Sequence, residues 1–109
     1  MPGPSPGMTE DGDPAVSGWV YIMTNKPNGI LYVGVTSNLP ARIWQHRTGA
    51  VPGFTKQYGL KRFIYAEPHD RIEGAIAREK QIKKWPRARK VRLIEASNAR
   101  WDDLFDQLV

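Results

Sequence analysis

Five side chains in this sequence have types and spacings that could process a phosphate ester. Tyr21 and Tyr32 are eleven residues apart, and Arg42 follows Tyr32 by ten. His46 comes four residues after Arg42, and Glu79 lies further along. A guanidinium is a planar fork of donors that matches phosphate oxygens. A carboxylate can hold Mg²⁺ with several waters retained. Histidine titrates near neutrality, and a tyrosine hydroxyl can relay a proton if its pKa of about 10 is lowered. These groups together could hydrolyse a phosphodiester bond.

A β-hairpin is predicted to position the two tyrosines. Residues 19–23 and 30–35 are rich in aromatic and β-branched side chains, which favours strands. Pro27 and the pair Asn28-Gly29 interrupt the pattern and are typical of a tight turn. The two strands should therefore pair antiparallel. The tyrosine hydroxyls then share one face if both side chains point the same way.

A helix at about 39–48 is predicted to carry the arginine and the histidine. Thr36 or Ser37 can cap its start, and Pro40 is tolerated in the first turn. Gly49 supplies the stop. Since the two basic residues are four apart, they share one face of this helix.

The rest of the chain is predicted to complete a small α+β domain, a three-stranded antiparallel sheet flanked by helices. Asp70 with Glu73 three residues later resembles a capping box, which marks a helix start. Pro86 should end or interrupt that helix. The predicted elements are a loop at 49–60, a strand at 62–66, a turn at 68–70, helices at about 71–85 and 87–96, and a short helix at 101–108.

The charge distribution indicates a polyanionic partner, with nucleic acid ahead of a membrane surface. The net charge is +5 and the pI about 9.7. Residues 80–92 carry seven basic side chains and no acid, which favours contacts to phosphates over a merely solvated face. Lys56, in the loop, either contacts DNA or simply decorates the surface, and both interpretations stay open. The predicted nucleic-acid-binding residues are Lys56, Lys80, Lys83, Lys84, Arg87, Arg89 and Lys90.

Composition also indicates the domain organisation and the location of the protein. Residues 1–17 are rich in Pro, Gly and acids, so we expect a disordered tail ahead of one domain at 18–109. With no cysteine, disulfides and thiolate metal sites are excluded. No apolar run approaches the roughly 18 residues of a membrane span, and no signal peptide is evident. A cytoplasmic location without membrane association is expected. Trp44, Trp85 and Trp101 are expected to pack rather than to stack on bases.

Two short triplets resemble those of the GIY-YIG endonuclease superfamily. Residues 19–21 read Trp-Val-Tyr and residues 32–34 read Tyr-Val-Gly, across a turn of the family's length. Arg42, His46 and Glu79 follow at the family's positions for its arginine, its histidine or tyrosine and its metal-binding glutamate. The sequence is similar to small stand-alone bacterial members that resemble the nuclease domain of the excision-repair incision subunit.

The resemblance covers about residues 18–105 and implies both a fold and a set of roles. It implies that Glu79 holds one Mg²⁺ or Mn²⁺ and that the motif tyrosines transfer protons, with Tyr21 favoured over Tyr32 as the base. Val35 stands where the repair nuclease has a lysine, so another positive group or His46 would have to serve. Glu73 is a rival metal ligand. Glu79 could also be an ion-pair partner of Lys83 at i,i+4.

The predicted function is a metal-dependent endonuclease acting on DNA. A single small domain should recognise sequence poorly, so structure-selective or nonspecific cleavage is expected, with DNA repair or recombination as the setting. The main alternative is a non-catalytic nucleic-acid-binding module on the same scaffold. A further alternative is a subunit that depends on a protein partner for cleavage or targeting.

Overall fold

The computed structural model describes residues 16–108. The predicted tail at 1–17 lies outside the described residues except for Val16 and Ser17. Three antiparallel strands form one sheet, in the order β2-β1-β3, which confirms the predicted α+β class. The strands are β1 at Gly18–Thr24, β2 at Leu31–Thr36 and β3 at Arg62–His69. The helices are α1 at Leu39–Thr48, α2 at Phe54–Gln57, α3 at Ile72–Lys84, α4 at Arg87–Ser97 and a final 3-10 helix at Phe105–Leu108.

The sheet separates two apolar clusters, because successive strand residues point to opposite faces. Tyr21 and Met23 of the central strand β1 pack on one face, together with α1 and the C-terminal segment. Val20 and Ile22 pack on the other, against buried residues of α3 and α4. We call these the α1 face and the α3 face. Tyr32 pairs with Met23 and therefore lies on the α1 face, as Tyr21 does.

Helix α1 occupies the predicted range, but a different residue caps it. The side chain of Asn38 accepts a hydrogen bond from the backbone N–H of Ala41 at 3.3 Å. The prediction of Thr36 or Ser37 as the cap is therefore wrong. Thr36 instead accepts from the backbone N–H of Asn38 at 3.1 Å. Gly49 ends the helix with φ of 76°, a left-handed conformation that suits glycine.

Strand β3 is longer than predicted, and the predictions of a turn at 68–70 and of a capping box after it are both wrong. It continues through Pro68, which pairs with Trp19. β3 is an edge strand, so a residue with no N–H to donate is tolerated there. Helix α3 begins after Arg71 without a side-chain cap, so the Asp70–Glu73 box does not form. The chain leaves the sheet only two residues before the helix, which leaves no room for a separate turn.

A β-bulge in β3 sets which face its second half presents. Ile22 pairs with Tyr65, whereas the next residue, Met23, pairs with Phe63. The extra residue, Ile64, shifts the alternation at this point. Tyr65 therefore packs in the cluster of the α3 face while Phe63 packs on the α1 face.

Candidate active site

Tyr21 lies at the centre of the α1 face, and Gly34 makes room for it. Its side chain is only 1% exposed, and its partner across the strand pair is Gly34. A Cβ atom at position 34 would lie 2.5 Å from the Tyr21 hydroxyl oxygen and 2.8 Å from Cε1. The ring therefore lies directly over the glycine of β2. The last residue of the Tyr-Val-Gly triplet is thus needed by the tyrosine of the first triplet.

His46 connects Tyr21 to a residue that the sequence did not indicate. The Tyr21 hydroxyl and His46 Nε2 are 2.7 Å apart, and His46 Nδ1 is 3.1 Å from Thr55 Oγ1. Burial, aided by the positive charge of Arg42, lowers the pKa of His46 to about 4. The imidazole is therefore neutral at neutral pH and carries one N–H. Its tautomer decides whether Nε2 accepts from Tyr21 or donates to it.

Tyr21 is held as a neutral phenol. Burial and the neighbouring Tyr32 raise its pKa above the usual value, and the opposing effect of Arg42 is smaller. A buried hydroxyl of this kind is a good hydrogen-bonding group but a poor proton acceptor from bulk solvent.

Tyr32 occupies the more accessible side of the same cluster. It is half-buried on the edge strand β2, with its ring centroid 6.3 Å from that of Tyr21 and 5.6 Å from that of His46. Phe54 of α2 stacks on its outer side at 6.4 Å. Arg42 is half-buried on α1 and donates to Gln45 Oε1 at 3.3 Å. The structure thus brings Tyr21, Tyr32, Arg42 and His46 together.

Glu79 approaches from the other side of the sheet. It lies on the buried side of α3, between Ala75 and Ile82, which pack on the α3 face. The residue is 8% exposed, and its Oε2 is 2.8 Å from Lys83 Nζ, so the alternative ion pair is present. Because β2 is an edge strand, Glu79 and Tyr32 could share a ligand only around that edge. Glu73, the rival ligand, is exposed.

The predicted nucleic-acid-binding residues fall on two separate surfaces. Lys56 is exposed on α2, beside the tyrosine cluster, whereas the others lie on α3 and α4. Two of them also have structural roles. Arg87 donates to the carbonyls of Asn28 and Gly29, at 3.1 and 2.7 Å, and ties α4 to the hairpin turn. Arg89 lies 3.9 Å from the centroid of the Trp85 ring. Of the seven, Lys90 is half-buried and the rest are exposed.

Helix α2 was missed because it is a single turn inside a predicted loop. It supplies both Thr55 and Phe54 to the cluster. The available signal was an aromatic residue, Phe54, inside a segment bounded by glycines. The tryptophans differ from one another, since Trp101 is buried as expected while Trp44 is 58% exposed.

The chain matches known proteins over most of its length. Residues 17–92 match the model of the GIY-YIG catalytic domain. UPF0213 protein SH2523 of Staphylococcus haemolyticus is 36% identical over 77 residues, 71% of this chain and 93% of that protein. A UPF0213 protein of Syntrophus aciditrophicus is 34% identical over 83 residues, 75% of this chain and 94% of that protein. The relatives therefore consist of little beyond the matched domain.

A solved structure has the same fold. The solution NMR structure of UPF0213 protein BH0048 from Bacillus halodurans superimposes with a TM-score of 0.51 at 24% identity, covering 79% of this chain and 90% of that one. Within residues 16–108, no helix has the length and apolar character needed to cross a membrane.

Proposed function

The chain belongs to the GIY-YIG family, and from that premise we propose that it is a divalent-metal-dependent endonuclease that hydrolyses DNA. Membership supports an endonuclease-type function at the level of the superfamily. The observation that carries the more specific proposal is the contact of 2.7 Å between Tyr21 and His46, with Tyr32 and Arg42 beside it. Two phenols, a neutral imidazole and a guanidinium make a site that can receive an anion and move a proton.

Arg42 is proposed to neutralise the phosphate. Its fixed positive charge already acts on Tyr21 and His46, which locates it next to the reacting groups. Charge that develops on the phosphate oxygens in the transition state would be stabilised by a guanidinium held in this position.

Tyr32, rather than the initially favoured Tyr21, is proposed to meet the attacking water. A base must reach solvent, and Tyr32 is half-buried while Tyr21 is 1% exposed with a raised pKa. Tyr21, His46 and Thr55 form a hydrogen-bonded series beside Tyr32, whose ring centroid is 6.3 Å from that of Tyr21 and 5.6 Å from that of His46. Val35 leaves position 35 without a cation, and Arg42 supplies the positive charge instead.

Glu79 is proposed as the metal ligand, because a carboxylate oxygen is the hard donor that Mg²⁺ and Mn²⁺ prefer. Within residues 16–108 its protein partner is Lys83, which meets Oε2 and leaves Oε1 to another ligand. No group of three or more potential metal ligands occurs among the described residues, so waters would complete the coordination shell. A bound Mg²⁺ or Mn²⁺ would supply Lewis-acid stabilisation of the phosphate and the leaving oxygen.

The setting of this activity is part of the proposal. Structure-selective or nonspecific cleavage in DNA repair or recombination, in the cytoplasm, suits a basic domain of this size. A protein partner could supply targeting. The ion pair between Lys83 and Glu79 is the observation that favours the second candidate, a non-catalytic nucleic-acid-binding module.

Cleavage assays with two glutamate variants test the proposal. Purified protein is incubated with branched, single-stranded and duplex DNA with Mg²⁺ or Mn²⁺, beside Glu79→Ala and Glu73→Ala. We expect metal-dependent cleavage that Glu79→Ala reduces by about 100-fold or more, while the exposed control Glu73→Ala retains it. Undiminished cleavage by Glu79→Ala would refute the metal assignment. Salt-sensitive binding of every substrate without cleavage would establish the binding module instead.

A further inference from the structure

A second polar site lies at the end of the sheet, outside the tyrosine cluster. Its cavity of about 280 Å³ is lined by Asn25, Arg47, Lys61, Arg62 and Asp103. We call it the end pocket. Three cations and one carboxylate give it a formal charge of +3 − 1 = +2. It forms where β1 ends and β3 begins, so segments distant in sequence meet there. None of these residues belongs to the basic run of α3 and α4.

The two guanidinium groups of the end pocket are held in place by the protein. Arg47 Nη1 donates to Asp103 Oδ2 at 2.5 Å and to the carbonyl of Lys61 at 3.3 Å. Arg62 Nε donates to the carbonyl of Trp101 at 2.6 Å. Each arginine uses one of its nitrogens in these bonds within residues 16–108, so other donors of each fork can bind a ligand. Because the forks are already ordered, the two arginine side chains lose less conformational entropy when a ligand binds.

The carboxylate of Asp103 serves the protein rather than a cation. Its Oδ1 accepts from the backbone N–H groups of Phe63 and Phe105, at 3.3 and 3.1 Å, and its Oδ2 accepts from Arg47. Its acceptor positions thus connect the C-terminal segment to β3 and α1. A ligand entering the end pocket therefore meets chiefly donors, which selects for an anion.

The end pocket and Tyr32 lie at the same end of the sheet. Met23 pairs with Tyr32 on one side, and the next residue, Thr24, pairs with Arg62 on the other. Neighbouring strands are about 4.8 Å apart, so two spacings separate these positions by roughly 10 Å. A DNA strand that rises about 3.4 Å per nucleotide covers this distance in about three nucleotides. Arg47 also follows His46 directly on α1.

We propose that the end pocket binds a backbone phosphate of the DNA, about three nucleotides from the phosphate at Tyr32. The chemistry it selects is a phosphate group, and the identification of its source as DNA rests on the proposed function. The pocket would fix the register of the strand at this end of the sheet, with Lys61 as its exposed cation. It would be a positioning site that makes no contact with the reacting atoms.

The test compares two single charge removals at opposite ends of β3. Lys61→Gln alters the end pocket, and Arg71→Gln removes an exposed charge beyond the other end of the strand. Binding to a duplex and to a single strand is measured by fluorescence anisotropy over a series of salt concentrations. We expect Lys61→Gln to weaken binding several-fold and to reduce the slope of log Kd against log salt by about 0.9 on the duplex. Arg71→Gln should leave the slope unchanged.

Chemically modified DNA and inorganic phosphate separate the possible sources of the phosphate. A neutral methylphosphonate linkage is placed at successive positions of the strand. At one position it should weaken binding by the wild type but leave binding by Lys61→Gln unchanged. Inorganic phosphate alone is titrated in parallel. Equal salt slopes for wild type and Lys61→Gln would overturn the proposal, as would saturation by inorganic phosphate without any effect of the methylphosphonate. If Lys61→Gln shows the expected slope change but the wild type cleaves no DNA, the proposed phosphate site stands and the proposed nuclease activity is refuted.

Discussion

Two clusters of tyrosine, histidine and arginine lie on opposite faces of the same sheet, and one acid distinguishes them. On the α1 face, Tyr21 and His46 are in contact at 2.7 Å beside Arg42. On the α3 face, Tyr65, His69 and Arg78 all bond to Glu67, at 2.7, 2.7 and 3.0 Å. The residue types are the same, but only the second set surrounds a carboxylate.

The carboxylate makes the second cluster electrostatically complete. Burial alone would raise the pKa of Glu67, but hydrogen bonds from Arg78, Tyr65 and His69 outweigh it and lower that pKa. On the α1 face the positive charge of Arg42 instead helps to keep His46 neutral. The first cluster has donors and a cation with no acid bonded to them among residues 16–108, so an external anion can complete it. Residue types alone therefore do not identify a site.

The largest expected effect comes from removing the cation of the first cluster. Arg42→Ala should reduce cleavage by about 100- to 1,000-fold, because a donor to the transition-state charge is lost. Its melting temperature should change little, since the side chain is half-buried and its hydrogen bond of 3.3 Å goes to exposed Gln45. Activity is measured as initial cleavage rate with Mg²⁺, beside Arg78→Ala as the counterpart from the second cluster. Full cleavage activity in Arg42→Ala would contradict the assignment of a functional role to the first cluster.

Acidification should affect the two clusters in different pH ranges. The folded pKa of His46 is about 4, against 6.5 for the ordinary group. As the pH falls below 6.5, the unfolded chain takes up the proton first, so the free energy of unfolding should decrease until about pH 4. The loss should reach up to about 3 kcal/mol. Glu67 has a lowered pKa, so its contribution is present above pH 4.5 and is lost only below it.

Denaturant unfolding across this pH series checks both ranges. His46→Gln should flatten the dependence between pH 6.5 and 4, whereas Glu67→Gln should alter it only below pH 4.5. A wild-type stability that is constant from pH 6.5 to 4 would contradict the buried, neutral state of His46.

Removing the acid of the second cluster should cost stability without affecting cleavage. Glu67→Gln leaves Arg78 and its neighbours without their anion, and we expect a loss of about 1 to 3 kcal/mol. The exposed Glu73→Gln should change the stability by less than about 0.5 kcal/mol. Both variants should cleave DNA at the wild-type rate. Loss of cleavage in a fully folded Glu67→Gln would mean that the second cluster takes part in function.

The smallest effect is expected from removing single hydroxyl groups. Tyr21→Phe and Tyr65→Phe each lose one hydrogen bond, worth about 1 kcal/mol in the free energy of unfolding. Tyr21→Phe should cleave DNA more slowly than Tyr65→Phe. The first substitution removes the hydrogen bond to His46 in the proposed site, whereas the second removes the hydrogen bond to Glu67 outside it. Thermal unfolding and cleavage rates of the pair measure this contrast. Equal cleavage rates would argue against a role for Tyr21.

The fold was predictable where the signals are local. The hairpin and α1 were predicted because Asn28 and Gly49 tolerate the positive φ that they adopt a few residues from the strands and the helix they delimit. The extension of β3 through Pro68 was not, because tolerance of proline there depends on β3 being an edge strand. The cap at Asn38 lies one residue past the predicted positions, and α2 was too short to show periodicity.

The sequence by itself determined which chemical groups are present and in what order. It determined that Arg42 and His46 share a helix face, since this follows from backbone periodicity. Whether Tyr21 and Tyr32 share a sheet face depended on the strand register, in which Tyr32 pairs with Met23. It could not determine the neutrality of His46 or the raised pKa of Tyr21, because the main cause of both is burial by distant segments. Only the tertiary structure decided that Glu79 lies on the opposite face and that Glu67 completes the second cluster. The bond from Arg78 of α3 to Glu67 of β3 depends on packing between two elements, which no local pattern encodes. The other partners are local, since Tyr65 and His69 lie two residues from Glu67 and Lys83 lies four residues from Glu79.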